Sequence, residues 1–223
     1  MIEALALTIR LALVTTALLL CCAIPLAAWI VFTRSRLRPL VEAITTLPLL
    51  LPPTVLGFYL LVLLGPRTAF GRAWIALFGH PLAFSFSGLV VGSVIYSLPF
   101  AVQPLVAGFS GVDASLLDQA RLLGASRLRL LSRILLPLSA RSVLTASVLC
   151  FMHTVGEFGV VLMIGGNIPG ATRTLSILIY DQVQDFAYAQ ANRTALLLVV
   201  ISLIALVLLY SQRRGLLSEA RRA

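Results

Sequence analysis

The chain contains no lysine; all 17 of its basic residues are arginine. A P-loop nucleotide site is built on G-x-x-x-x-G-K-[ST], in which the lysine reaches the phosphates, so this chain cannot itself be a P-loop ATPase. Charge of either sign is scarce. Only 11% of the residues are charged and 60% are hydrophobic, where a soluble domain has about 25% charged residues. Cysteine is scarce too. Cys21, Cys22 and Cys150 all lie in apolar runs, with neither zinc-ligand spacing nor a secreted disulfide framework. Leu-Leu-Leu precedes Cys21-Cys22, not the small residues of a lipoprotein cleavage site. The three thiols are therefore expected to pack as small buried hydrophobes.

What the chain has in quantity is long apolar sequence, with a mean hydropathy of +1.03. A helix needs roughly 20 apolar residues to cross a bilayer. Five stretches qualify, at 11–32, 43–64, 84–109, 138–164 and 194–211. The expected fold class is an all-α polytopic membrane protein of five or six spans. The first stretch is too long for a signal-peptide core and is followed by T-R-S-R-L-R, so it reads as a retained span. Residues 1–10 read as an amphipathic lead-in lying at the interface. A net charge of +9 could suggest nucleic acid as a partner. The arginines sit where loops meet spans, however, and topology explains them without nucleic acid.

Those arginines fall mainly on one side of the predicted spans. Arg34, Arg36 and Arg38 follow the first span, and Arg121, Arg127, Arg129, Arg133 and Arg141 surround 110–141. Arg213, Arg214, Arg221 and Arg222 end the chain. Arg10, Arg67, Arg72, Arg173 and Arg193 fall on the other side. The richer side is expected to be cytoplasmic, which puts the N-terminus outside and the C-terminus inside a plasma membrane. The segment 171–191 has an apolar patch too short to span. It is expected outside, as a helix dipping into the interface or a sixth, re-entrant element. In the second span, Pro48, Pro52 and Pro53 of L-P-L-L-L-P-P-T lack N–H donors. Such breaks are tolerated where protein or a watery cavity satisfies the freed carbonyls. This span is expected to be kinked and to face protein, as a packing kink or as a path lining.

The stretch 113–137 interrupts the apolar pattern. Leu116, Leu117, Ala120 and Leu123 share a helical face, and Asp113 or Ser115 can cap its start. Gly124 suits a turn past a helix end. Ser126 can cap a second helix carrying Leu128, Leu131, Ile134 and Leu135, with a stop at Pro137. Two short helices joined at a glycine exceed what a span-to-span link needs, which points to partner docking.

This stretch resembles the coupling loop of ABC importer permeases, whose pattern is E-A-A, three residues, Gly, nine residues, then I-x-L-P. Here Asp118-Gln119-Ala120 is followed after three residues by Gly124-Ala125, and Ile134-Leu135-Leu136-Pro137 closes the pattern. Asp118 and Gln119 depart from the Glu and Ala of the family. The stretches 47–61 (LPLLLPPTVLGFYLL), G-E-F-G at 156–159 and G-N-I-P-G-A-T-R-T at 166–174 are similar to the molybdate branch of that family. The sulfate and thiosulfate branch is the alternative.

The resemblance implies a type I ABC importer transmembrane domain, with 1–223 a single permease domain and a coupling loop at about 111–137. It implies a homodimer with a path along its two-fold axis and a cytoplasmic ABC ATPase dimer carrying ATP and magnesium, with no cofactor in this chain. It also implies an extracytoplasmic oxyanion-binding protein and transport by alternating access.

In the fourth span Ser142, Ala146, Cys150, His153 and Glu157 recur at three or four residues and so share a helix face. This face is expected to line the two-fold axis, with Glu157-Phe158 as a gate at its outer end. Thr54, Gly156 and Gly159 join His153, Glu157 and Phe158 as candidate path residues. Glu157 is either a gate or a helix-packing acid, because ionisable groups within membranes turn to the bundle interior. Asn167, Thr172 and Arg173 form an expected outer loop that meets the binding protein or admits the anion; N-I-P-G is also strong turn chemistry.

Two enzymatic or metal readings compete. Gly108-Phe109-Ser110-Gly111 matches a G-x-S-G nucleophile pattern, and His153 lies on the next span; together they would suit an intramembrane serine protease. The predicted spans put them at opposite ends of the membrane. Cys150, His153 and Glu157 have spacings that could gather a metal, but nothing supplies a fourth ligand.

Overall fold

The computed structural model describes residues 1–219, and side chains through Ser211. Every regular element among them is helical. Arg221 and Arg222, counted above for topology, lie outside the described residues, as do the side chains of Arg213 and Arg214.

Helix α1 (Ile2–Phe32) is one unbroken rod that includes residues 1–10. The expected interfacial lead-in is instead the first turns of the span. Ala4, Thr8, Leu11, Thr15, Leu19, Ala23, Ala27 and Ile30 are buried at steps of three and four, a stripe along one face. In lipid there is little hydrophobic drive between helices, so close packing by small residues holds them together. That stripe leaves Cys21 and Cys22 on the outer face, exposed. Only Cys150 is buried, so two of the three thiols depart from expectation.

The second predicted span is two helices. Between α2 (Arg38–Leu50) and α3 (Pro53–Leu64) the axis turns by 112°. The helices have 13 and 12 residues, so each is about 20 Å long at ~1.5 Å per residue, short of a hydrocarbon core of about 30 Å. Pro52 and Pro53 exclude a continuous helix, and Leu51 leaves it extended at ψ 140°. The pair is a broken span or a re-entrant loop, bent far more sharply than a kinked helix, and most of it is exposed in this chain. Thr68 caps α4 (Ala69–Phe78), and Gly79 ends it at φ +75°. No helix was expected there.

Helix α5 (Phe86–Ser110) is the centre of the bundle and packs against α1, α2 and the helix after the docking segment. The docking segment is α6 (Ala114–Leu122) followed by α7 (Arg127–Leu138), whose middle, Leu131–Leu135, is a π turn. Helix α8 (Ala140–Gly156) leaves α7 at 81°. The expected stop at Pro137 falls two residues later, at Ser139, because the widened π turn accommodates a ring with no N–H.

The fourth predicted span is also interrupted. It leaves the helix at Glu157 and Phe158 and resumes as α9 (Gly159–Gly165). Segment 171–191 forms α10 (Leu175–Gln184). Its Leu175 and Ile177 are fully buried, and the Thr8 hydroxyl accepts the Leu175 N–H at 2.9 Å. It is docked into the bundle beside the start of α1. Helix α11 (Tyr188–Glu219) closes the chain, with 11% of its most apolar window buried. Among the described residues three helices are long and apolar enough to cross a membrane, and five crossings result if each bent pair counts as one.

Candidate functional site

Two places gather the predicted residues. The first is the docking segment. Asp113 caps α6, accepting the Ser115 N–H at 2.9 Å, and this bond holds its carboxylate below the ordinary range. Gly124 has φ +79°, where a Cβ is strained, yet a Cβ there would meet nothing within 4 Å. Ser126 caps α7.

The expected apolar face splits. Leu117 and Leu135 turn inward to α1 and α5, whereas Leu116, Leu122, Leu123 and Leu128 are exposed, Leu122 and Leu123 at 88% each. Asp118 pairs with Arg121 at 2.7 Å, both half-exposed. Gln119 and Pro137 are exposed, while Ala120, Ala125, Ile134 and Leu136 are half-buried. The exposed leucines form a knob around a left-handed glycine.

The second place is a cavity of about 520 Å³ beside the break after α8. Thr54, His153, Gly156, Glu157, Phe158 and Gly159 all line it, with Pro53, Tyr96, Met152, Leu162 and Met163. Five of those six predicted residues come from the end of α8, the break and the start of α9; Thr54 arrives from the first turn of α3. Two close approaches bring these elements together. A Cβ at Gly159 would stand 2.7 Å from the Pro53 Cβ, and one at Gly57 would stand 2.8 Å from the Met163 Cβ.

The His153 Nδ1 lies 2.8 Å from the Ser97 hydroxyl of α5, and Ser97 is also 3.3 Å from the Thr154 hydroxyl. The imidazole stacks on Phe100 at 4.0 Å between centroids and leans on Tyr96 at 4.7 Å. Glu157 is 3% exposed, and neither carboxylate oxygen has a hydrogen-bond partner among the described residues. The Ser93 hydroxyl beside it on α5 is equally short of one. A buried carboxylate in this position is costly unless something else completes it.

The proposed shared face of α8 is divided: His153 lines the cavity and other members turn into the core. Ala146 and Cys150 are fully buried against α1 and α5, inside this chain's own core. Glu157 falls past the helix end, so it does not continue that face. Sequence periodicity assumed an unbroken helix, and two glycines around an extended Glu157 broke it.

The outer loop is a clamp. Asn167, at φ +58°, donates to both Asp181 oxygens at 2.8 and 3.0 Å and accepts from Arg173 Nε at 2.7 Å. Arg173 also reaches Asp181 at 3.4 Å and remains 31% exposed. Thr172 does not face outward. It is fully buried, donating to the Gly165 carbonyl at 2.7 Å and accepting the Ile168 N–H at 2.9 Å. Asp181 is a residue that sequence reasoning missed; its only signal was an acid within an apolar patch, four residues before Asp185.

The competing readings do not assemble. Ser110 ends α5, 13 residues beyond the Ser97 that His153 contacts. That separates it from the imidazole by about 20 Å of helix. Among the described residues no group of three His, Cys, Asp or Glu side chains could hold a metal ion.

The fold and these two places define a polytopic membrane protein with a docking segment at one end and a polar break within its bundle. The family model of the binding-protein-dependent transport system inner membrane component matches residues 20–220, and the chain belongs to that family.

The molybdenum transport system permease protein ModB of Azotobacter vinelandii is 48% identical over 213 residues, 96% of this chain and 94% of that protein. The sulfate transport system permease protein CysT of Escherichia coli K12 is 31% identical over 183 residues, 81% of this chain and 65% of that one. Among solved structures, the bacterial alginate ABC transporter in complex with alginate pentasaccharide-bound periplasmic protein superposes with a TM-score of 0.77 at 18% identity. The overlap covers 96% of this chain and 78% of that one. The MetNI methionine ABC transporter gives 0.72 at 16%, covering 96% and 94%. At those identities the likeness is one of fold: the type I ABC transporter transmembrane domain.

Proposed function

We propose that the chain is the membrane-spanning subunit of an ATP-driven importer for a tetrahedral oxyanion, molybdate or the similarly shaped tungstate. Two copies would form the pathway. A separate cytoplasmic ATPase dimer would hold ATP and magnesium, and an extracytoplasmic binding protein would deliver the anion. The plasma membrane is its site, with the docking segment in the cytoplasm and the start of α1 outside.

The observation that carries the coupling role is the knob of exposed leucines around Gly124. Burying Leu122 and Leu123 in a partner's cleft would link ATPase movement to α7 and, through the sharp turn at Ser139, to α8. Helix α8 ends at the cavity, so a movement of the docking segment reaches Glu157 and Phe158 through one rigid rod. The molybdate reading rests on the identity to ModB proteins, which exceeds that to CysT; sulfate or thiosulfate is the second reading. A dianion needs donors where water leaves it. Thr54, Tyr96 and His153 supply them around the cavity, enough for brief passage, with selectivity left to the binding protein. Arg173 at the outer clamp is the cation that would meet the delivery protein or the arriving anion.

The test is uptake of labelled molybdate into vesicles bearing the chain, its ATPase and its binding protein, with ATP on the docking side. Uptake that requires ATP and is abolished by Gly124→Trp is expected. Trp there meets open space in the free chain, so its backbone strain at φ +79° stays within an exposed turn and the bundle should survive while docking fails. An assembled complex that moves no molybdate would sink the substrate reading, and equal competition by sulfate would move the chain to the other branch. Full uptake by the Gly124→Trp protein would sink the coupling role.

A further inference from the structure

A further cavity, of about 680 Å³, is separate from the one beside the break after α8. It lies between the last turns of α1 and the inner side of the docking segment. Its lining is apolar at Trp29, Phe32, Leu131 and Leu135, of which Trp29 and Phe32 stay exposed, and basic at Arg34, Arg121 and Arg127, with Thr33 beside them. Arg121 is paired with Asp118. Among the described residues Arg34 and Arg127 have neither an ion pair nor a side-chain hydrogen bond. The exposed Leu122, Leu123 and Leu128, offered to a partner protein, do not line it.

We propose that this groove is a binding site for an anionic phospholipid. Its phosphate would sit on Arg34 and Arg127, and an acyl chain would run along the apolar lining. The charge pattern selects this occupant. Guanidinium groups form bidentate pairs with phosphate oxygens, and basic pockets at the cytoplasmic ends of membrane helices suit anionic headgroups. A bare oxyanion would satisfy the arginines and leave Trp29, Phe32 and Leu135 unfilled. A protein segment would find no acidic or hydrogen-bonding complement along the apolar lining. A lipid carries both halves, and the groove opens where span α1 leaves the membrane. The bound lipid would bridge Arg34, on the loop after α1, to Arg127, at the start of α7. It would thereby steady the docking segment against the bundle. This rests on the reading of the docking segment as the cytoplasmic end.

The experiment reconstitutes the chain with its ATPase in vesicles of phosphatidylcholine containing a minority of phosphatidylglycerol. Native mass spectrometry of the extracted complex then counts the phosphatidylglycerol retained. The wild type should retain it, and Arg34→Ala with Arg127→Ala should weaken retention by roughly tenfold to thirtyfold. Ala28→Phe, which narrows the groove and leaves both arginines in place, should lower retention as well. Equal retention by wild type and both variants overturns the site. Displacement of the lipid by inorganic phosphate or molybdate alone overturns the lipid as occupant in favour of a free oxyanion. Uptake is followed in parallel. A chain that transports no oxyanion but holds phosphatidylglycerol through the two arginines keeps the lipid site and loses only the transport reading.

Discussion

The docking segment and the cavity at the end of α8 are built by opposite means. The segment is made of local devices: the Asp113 and Ser126 caps, a glycine at φ +79°, and leucines that nothing in the chain covers. The cavity is made of distant pieces. Thr54, Tyr96 and Glu157 come from three parts of the chain, and contacts at Gly159 and Gly57 hold them together. The segment can be altered without disturbing the bundle, because its outer face touches nothing. The cavity cannot, because its walls are also the packing between α3, α5 and α9. A surface awaiting a partner stores its function in local shape, whereas a path within a bundle shares every residue with the fold.

The sharpest way to test that contrast is a substitution in the cavity wall. Gly159→Val would push a Cβ to 2.7 Å from Pro53. Overpacking of this kind costs about 1–3 kcal/mol. Thermal unfolding in detergent should therefore fall further for Gly159→Val than for Gly124→Trp, whose strain at φ +79° is confined to an exposed turn. Equal stability in both would erase the distinction between the two regions.

Glu157→Gln comes next. The amide keeps the shape and removes an unpartnered carboxylate from a buried site, so stability should hold or rise. If Glu157 closes the path, uptake should fall by about tenfold, of the order of 1.4 kcal/mol in the rate-limiting step. Unchanged uptake and unchanged coupling to ATP hydrolysis would make Glu157 a packing residue only.

The smallest effect is expected at the Asp113 cap. Its carboxylate is held below the ordinary range in the folded chain, chiefly by the Ser115 N–H. The cap's contribution is therefore complete above the ordinary carboxylate range and is lost as pH falls through the lowered value. Hydrogen exchange in α6 should quicken over that acidic window in the wild type and show no such pH step in Asp113→Ala. A step of the same size in the variant would remove the cap from the account.

The sequence pointed to Gly124, both caps and the spacing to Pro137, because each acts on neighbours within a turn. It also brought out six of the residues around the cavity, five of them because G-E-F-G and His153 lie within a few positions of one another. It misjudged what that stretch does. Periodicity placed Ser142, Ala146 and Cys150 on a path, but an α-helix repeat cannot tell a face turned to a partner from one turned to its own core. Thr172 looked like an outer hydroxyl, and the turn from Gly165 to Ile168 pulled it inside.

By itself the amino-acid sequence determined a helical membrane chain with no P-loop of its own. It also determined an arginine-marked docking segment, because apolar length, missing lysine and local turn chemistry need no distant contacts. Only the tertiary structure decided that the second span folds back by 112° and that the fourth opens at Glu157. It alone placed Asp181 under Asn167 and Arg173 and left a groove between Arg34 and Arg127. These depend on which helices meet, and in a bilayer that is settled by close packing of small residues between elements far apart in sequence.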